Sequence, residues 1–165
     1  MKKYELTAEF IEKWGKKLFR IKALISFGSV EAGELGGYVE KEDNLAQNGN
    51  AWVYGNARVY GNAWVYGNAE VCGDAEVCGD ADYLLIGRIG SRFSFTTFFK
   101  NKDKGITVSC GCFLGTIAEF RAKVTDTHGN NKHAKIYNLA ADMAELQILG
   151  EEYFDKLNTN KSEPF

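Results

Sequence analysis

From Gly49 to Leu84 the chain reads GNAWVY, GNARVY, GNAWVY, GNAEVC, GDAEVC, GDADYL, six successive units of six residues. Counted from the valine, each unit is Val-x-Gly-Asn/Asp-Ala-x, with a large aliphatic residue at one position and a small one four places later. Two-residue alternation alone would predict an ordinary strand, but it leaves unexplained a Gly-Asn or Gly-Asp pair at every sixth position. Gly supplies the positive φ, and Asn or Asp the side-chain-to-backbone bonds, that sharp turns need. The period therefore predicts a chain that turns every six residues and stacks upon itself.

This spacing resembles the hexapeptide repeat of left-handed parallel β-helices. The resemblance implies three units per triangular coil, about eighteen residues, so that residues eighteen apart lie above one another. Val53, Val59, Val65, Val71 and Val77, with Ala51, Ala57, Ala63, Ala69, Ala75 and Ala81, then point inward, each buried valine contributing roughly 1.5–3 kcal/mol. Fading repeats through Val39 and Leu45 place the start near Gly36. Outward, the register sets Trp52 over Glu70, Arg58 over Glu76, Trp64 over Asp82, Tyr54 over Cys72 and Tyr60 over Cys78. Trp52, Tyr54, Tyr60, Trp64 and Tyr66 form an outward aromatic surface suited to another chain, to a flat ligand, or to covering the rest of the molecule. Cys72 and Cys78 lie one side of the triangle apart and face different ways, so neither a disulfide nor a metal site is expected there.

The expected fold class is mostly β with an α+β end: a short left-handed parallel β-helix, then a small antiparallel sheet plus two helices. Residues 1–35 read as an N-terminal cap, in which Thr7 to Trp14 is a short helix capped by Thr7, or Lys3 to Leu6 is a strand, followed by a strand over Lys17 to Leu24 that caps the open end of the repeat and a turn region. Residues 36–84 form the β-helix, 85–157 an α+β module, and 158–165 a flexible polar tail. Within the module, Tyr83–Ile86, Phe93–Phe99 and Ile106–Cys110 read as strands. Thr116 and Glu119 make a capping box for a helix from Ile117 to Thr127, stopped by Gly129. A second helix runs from Lys132 to Leu149, with Ile136, Leu139, Ala140, Met143 and Leu146 as its apolar stripe.

The 165 residues are 45% hydrophobic and 25% charged, enough for one or two compact domains. Twenty Lys and Arg against 22 Asp and Glu give a net charge of -2, which does not favour general nucleic-acid binding. No apolar run suits a membrane span, and the segment Met1 to Phe10 is polar where a signal peptide is apolar, so a cytoplasmic protein is expected. In that compartment Cys72, Cys78, Cys110 and Cys112 read as reduced thiols.

Candidate chemistry concentrates after the repeat. Gly87-Arg88-Ile89-Gly90-Ser91-Arg92 offers backbone donors and two guanidinium groups suited to phosphate or carboxylate. It is no P-loop, since no Gly-Lys-Ser/Thr follows, and it also reads as a glycine-bearing loop with solvated arginines. The expected ligand-binding set is Arg88, Ser91, Arg92, Thr96, Thr97 and His128, with Trp52 and Trp64 stacking on a base. Cys110-Gly111-Cys112 with His128 suggests a nucleophilic pair or a zinc site, but no fourth ligand is identified, and a helix-end histidine is stabilised by the dipole alone. Structural thiols are therefore expected, with no catalytic residue, metal or cofactor.

Lys3-Tyr4-Glu5-Leu6-Thr7, Leu18 to Leu24, Gly33 to Lys41 and the GNA-x-V units resemble a group of hexapeptide-repeat proteins frequently encoded by bacteriophages and prophages. Thr96 to Phe99, Val108 to Phe113, Gly115-Thr116 and Thr127 to Gly129 resemble a module that recurs among them. Acyltransferases and γ-class carbonic anhydrases of the hexapeptide fold use repeat-associated histidines, whereas His128 and His133 lie outside the repeat, so those activities do not carry over. The resemblance implies a viral, non-enzymatic protein in the bacterial host cytoplasm. Its expected role is to antagonise host defence by sequestering a small phosphorylated or nucleotide-like signal as a homo-oligomer, with a trimer favoured. The alternatives are a scaffold binding a host effector through the aromatic face and, last, a transferase or Cys/His enzyme.

Overall fold

The structure, a computed structural model, describes residues 1–161. Strands β1 (Tyr4–Lys13) and β2 (Lys16–Ala23) form an antiparallel hairpin, closed at Trp14 and Gly15 by two positive φ angles. The short helix expected over Thr7 to Trp14 is corrected: the strand expected at Lys3 to Leu6 continues to Lys13, because Phe10 and Ile11 pair across to Phe19 and Leu18. Strand β3 (Leu35–Val39) runs antiparallel to β2 and parallel to the repeat strand β5 (Arg58–Val59). The other repeat strands are β4 (Trp52–Val53), β6 (Glu70–Val71) and β7 (Glu76–Val77).

Parallel pairing at eighteen-residue spacing joins Trp52 to Glu70 and Arg58 to Glu76. The preceding step, Tyr38 to Arg58, spans twenty residues and contains a 3-10 turn at Glu42–Asn44. At the corners Gly49, Gly55, Gly61, Gly67 and Gly73 take positive φ while Gly79 is extended, and a β-carbon on Gly49 would press to 2.8 Å from the Gly67 carbonyl oxygen stacked on it. The five valines are fully buried, as are Ala51, Ala57, Ala63, Ala69 and Ala75. Ala81 is exposed instead, carried outward by a short 3-10 turn at Asp80–Asp82.

The expected fold class is corrected by this sheet topology. The two-residue strands β5 and β7 are the far half of a mixed five-stranded sheet, β1-β2-β3-β5-β7, whose first half is antiparallel; β4 and β6 make a separate pair. A six-residue period specifies turns and inward residues, but not what pairs with the first ladder edge, and here the hairpin takes that edge. The C-terminal sheet has four antiparallel strands in the order β11-β10-β9-β8. They are β8 (Tyr83–Ile89), β9 (Ser94–Lys100), β10 (Ile106–Cys110) and β11 (Phe113–Thr116).

Among the described residues three helices follow rather than two: α1 (Ile117–His128), α2 (Lys132–Leu149) and α3 (Glu151–Lys161). The capping box holds, with Glu119 N–H donating to Thr116 Oγ1 and Thr116 N–H to Glu119 Oε2. The expected tail from Asn158 is helical to Lys161, and its remainder lies outside the described residues. The expected stripe on α2 is also corrected. Ala134, Tyr137, Ala140, Ala141, Ala144 and Ile148 face inward, while Leu139, Met143 and Leu146 are exposed. Four alanines let α2 approach α1 and the sheet closely, and Leu139, Met143 and Leu146 are left on the outer face. No described helix is long and apolar enough to cross a membrane.

The C-terminal sheet is packed on both faces. Phe99 joins the valine core of the repeat, whereas Phe98 joins Phe120, Val124 and Tyr137 under the helices. Strand alternation produces this division. At the opposite end Lys3 closes the repeat: it is 1% exposed, its Nζ donates to the Ala51 carbonyl at 2.8 Å, and it lies 4.7 Å from the Phe27 ring centroid. Burial pulls its pKa down to about 8.

Glu40 ties the hairpin to the repeat, accepting from Lys16 Nζ and from the Gly61 N–H, each at 2.7 Å. These two bonds hold its carboxyl below the ordinary value of 4.5. A depressed folded pKa means that the unfolded chain takes up the proton first. The contribution is therefore complete above the ordinary value and disappears as pH falls through the folded one. Thermal melts from neutral to acidic pH are expected to show a smaller acid loss in Glu40→Gln than in the parent chain.

Candidate functional site

A cavity of about 240 Å³ opens at the end of the sheet where the β8–β9 and β10–β11 turns meet α1 and the start of α2. Ser91 and Arg92 reach it from the first turn, Cys110 and Cys112 from the second, and Lys123, Thr127 and His128 from the last turns of α1. Phe113, Phe120 and Tyr137 supply its apolar wall. Phe120 packs at 5.7 Å from both Phe113 and Tyr137, edge-on to the latter. The His128 ring stacks on Tyr137 at 5.8 Å and lies 5.7 Å from His133.

The β8–β9 turn is held by close approach. Gly90 is buried with φ +77°, and a β-carbon there would overlap the Tyr137 hydroxyl. That contact sets Ser91 and Arg92 at the rim. On the wall, Thr96 Oγ1 donates to Cys110 Sγ at 3.2 Å. Burial, then the charge of Cys110 and the hydrogen bond to it, push the Tyr137 phenol upward. The helices are locked together by Arg121, which donates to Asp142 and Glu145, each at 2.7 Å, and to Asn138 Oδ1 at 3.1 Å.

The structure thus brings Ser91, Arg92 and His128 together, with Thr96 buried beneath them on Cys110. It does not bring the rest. Thr97 faces the repeat, where its Oγ1 accepts from the Glu70 N–H at 3.2 Å. Arg88 is exposed on β8 and does not line the cavity. Trp52, expected on the surface, is fully buried against Tyr4 and Phe27 because the N-terminal hairpin covers it. Trp64 is 51% exposed and stacks on Tyr66 at 4.7 Å, beside Tyr83 and Gln147 and away from the cavity. Cys72 and Cys78 have thiols raised first by burial.

Lys123 and Tyr137 were not anticipated. Lys123 stands four residues before Thr127, a spacing that puts the two on one face of a helix end. Among the described residues no carboxylate lines the cavity, and no group of three or more His, Cys, Asp or Glu is placed to hold a metal ion. The arrangement offers positive charge beside an aromatic wall, which suits an anion carrying a small apolar or ring portion. No family model and no curated protein matches the chain.

Proposed function

We propose that the chain is a binding protein for a small phosphorylated ligand, held in the cavity at the end of the C-terminal sheet. The observation that carries this reading is the convergence of Arg92, Lys123 and His128 on one cavity whose described lining contains no carboxylate. Charge-assisted hydrogen bonds from Arg92 and Lys123 contribute roughly 1.5–3 kcal/mol each. The wider role we propose is sequestration, as a homo-oligomer, of a phosphorylated or nucleotide-like signal of a bacterial host's defence. That role is supported by the resemblance of the GNA-x-V units and of Val108 to Phe113 to phage-encoded proteins.

Calorimetric titration with inorganic phosphate tests the site. Arg92 is exposed, so Arg92→Ala is expected to weaken binding by about tenfold to a hundredfold while leaving the melting temperature unchanged. Equal affinity in the two proteins would remove Arg92 from the site, and failure of the parent chain to bind phosphate would end the reading.

A second reading, a protein-interaction surface, is favoured by a different observation. Leu139, Met143 and Leu146 on α2 and Tyr153 on α3 are 66%, 55%, 44% and 46% exposed. Apolar rows of this kind mark contact with a second copy or another protein. A chain that ignores phosphate but self-associates through this row would fit that reading.

A further inference from the structure

The phosphate cavity does not stand alone. A second cavity, of about 290 Å³, lies between the repeat and the C-terminal sheet, and Ser94 and Gly111 line both. The two spaces therefore adjoin around the end of the sheet, one on its helix side and one on its repeat side. Their linings differ in kind. The second cavity is bordered by Asn50, Asn68 and Glu70 of the repeat, Thr97 and Ser109 of the sheet, and the Tyr54 ring; among the described residues no Lys, Arg or His lines it.

Its polar groups are held in place. Asn50 Nδ2 donates to Asn68 Oδ1 at 3.1 Å, which fixes both amides and leaves the Asn68 amide hydrogens for a ligand. The Ser109 hydroxyl donates to Glu70 Oε2 at 3.5 Å, leaving the other carboxylate oxygen to accept. The Tyr54 hydroxyl is paired with Ser29 at 3.2 Å. A carboxylate that accepts, an amide that donates and a ring that packs on C–H faces are the recognition chemistry of a neutral, hydroxyl-rich ring. Glu70 would repel a phosphate from this side, so the anionic end belongs with Arg92 and Lys123.

Resting on the phosphate reading above, we infer that the ligand is a phosphate monoester of a sugar. The phosphate lies at Arg92 and Lys123, and the sugar hydroxyls meet Asn68 and Glu70 across the rim formed by Ser94 and Gly111. Size agrees: each cavity alone is below the roughly 300–1,000 Å³ of ordinary small-molecule sites, and the two together fall inside that range.

Calorimetry with inorganic phosphate, ribose 5-phosphate and adenosine 5′-monophosphate separates this inference from the reading beneath it. Ribose 5-phosphate is expected to bind the parent chain at least about tenfold more tightly than phosphate. Glu70→Gln and, separately, Asn68→Ala are expected to remove about that factor for ribose 5-phosphate and to leave phosphate affinity unchanged. Arg92→Ala weakens all three. Tighter binding of the monophosphate than of ribose 5-phosphate identifies a nucleotide, and equal binding a free sugar phosphate; either supports the class. Ribose 5-phosphate binding no better than phosphate, or binding indifferent to both cavity variants, overturns the inference while the phosphate reading stands. Failure of all three probes to bind overturns both.

Discussion

Trp52→Ala is expected to destabilise the chain by about 3–5 kcal/mol, the cost of emptying a large aromatic site in a packed core. The side chain is fully buried, with Tyr4 at 6.1 Å and Phe27 at 5.4 Å, both edge-on. It sits where the N-terminal hairpin closes over the repeat, so neither can collapse into the space without parting from the other. Its Nε1 has no hydrogen-bond partner among the described residues. Trp52→Phe should consequently lose packing but no polar contact, and fall well short of the alanine effect. Urea unfolding of the three proteins measures both differences. A Trp52→Ala loss below about 1 kcal/mol would mean that the residue is not a core residue.

Arg121→Ala is expected to cost a comparable amount, about 3–5 kcal/mol, for an electrostatic reason. Arg121 holds Glu145 of α2, which is only 5% exposed, together with Asp142. Removing the guanidinium leaves a buried carboxylate without a counter-charge, the costly way to break such a pair. Replacing both partners, Arg121→Met with Glu145→Leu, removes the charge along with its partner and should recover most of the loss. Chemical denaturation of the single and double variants checks the cycle. A double variant no more stable than the single would show that the pair acts through packing alone.

The two tryptophans show what the sequence can and cannot specify. Trp52 and Trp64 occupy the same place in identical GNAWVY units, yet one is buried and the other is half exposed. The repeat dictates that both follow an inward alanine and precede an inward valine. What covers Trp52 is the hairpin, whose Tyr4 is 48 residues away in sequence, and no local period contains that. The same reasoning applies to the sheet: the valine ladder and a capping strand over Lys17 to Leu24 were legible, while the continuation of that strand into β1 was not. In the site, Ser91, Arg92 and His128 were legible because their chemistry is conspicuous near glycines and at a helix end. Lys123 resembles any solvated lysine until the α1 C-terminus is placed over the turn carrying Arg92. The separation of Thr96 from Thr97 was available beforehand, since neighbours on a strand face opposite sides.

The amine of Lys3 makes the end of the repeat a clock. Burial alone holds its pKa near 8, so detachment both rehydrates the amine and exposes it, and an acylating reagent meets it only in the opened state. Labelling then waits on the detachment of β1 and β2 from the core, and its rate reads a local opening rather than global unfolding. The hairpin that defines one side of the main sheet thereby carries, three residues into the chain, a probe of how often that side comes apart.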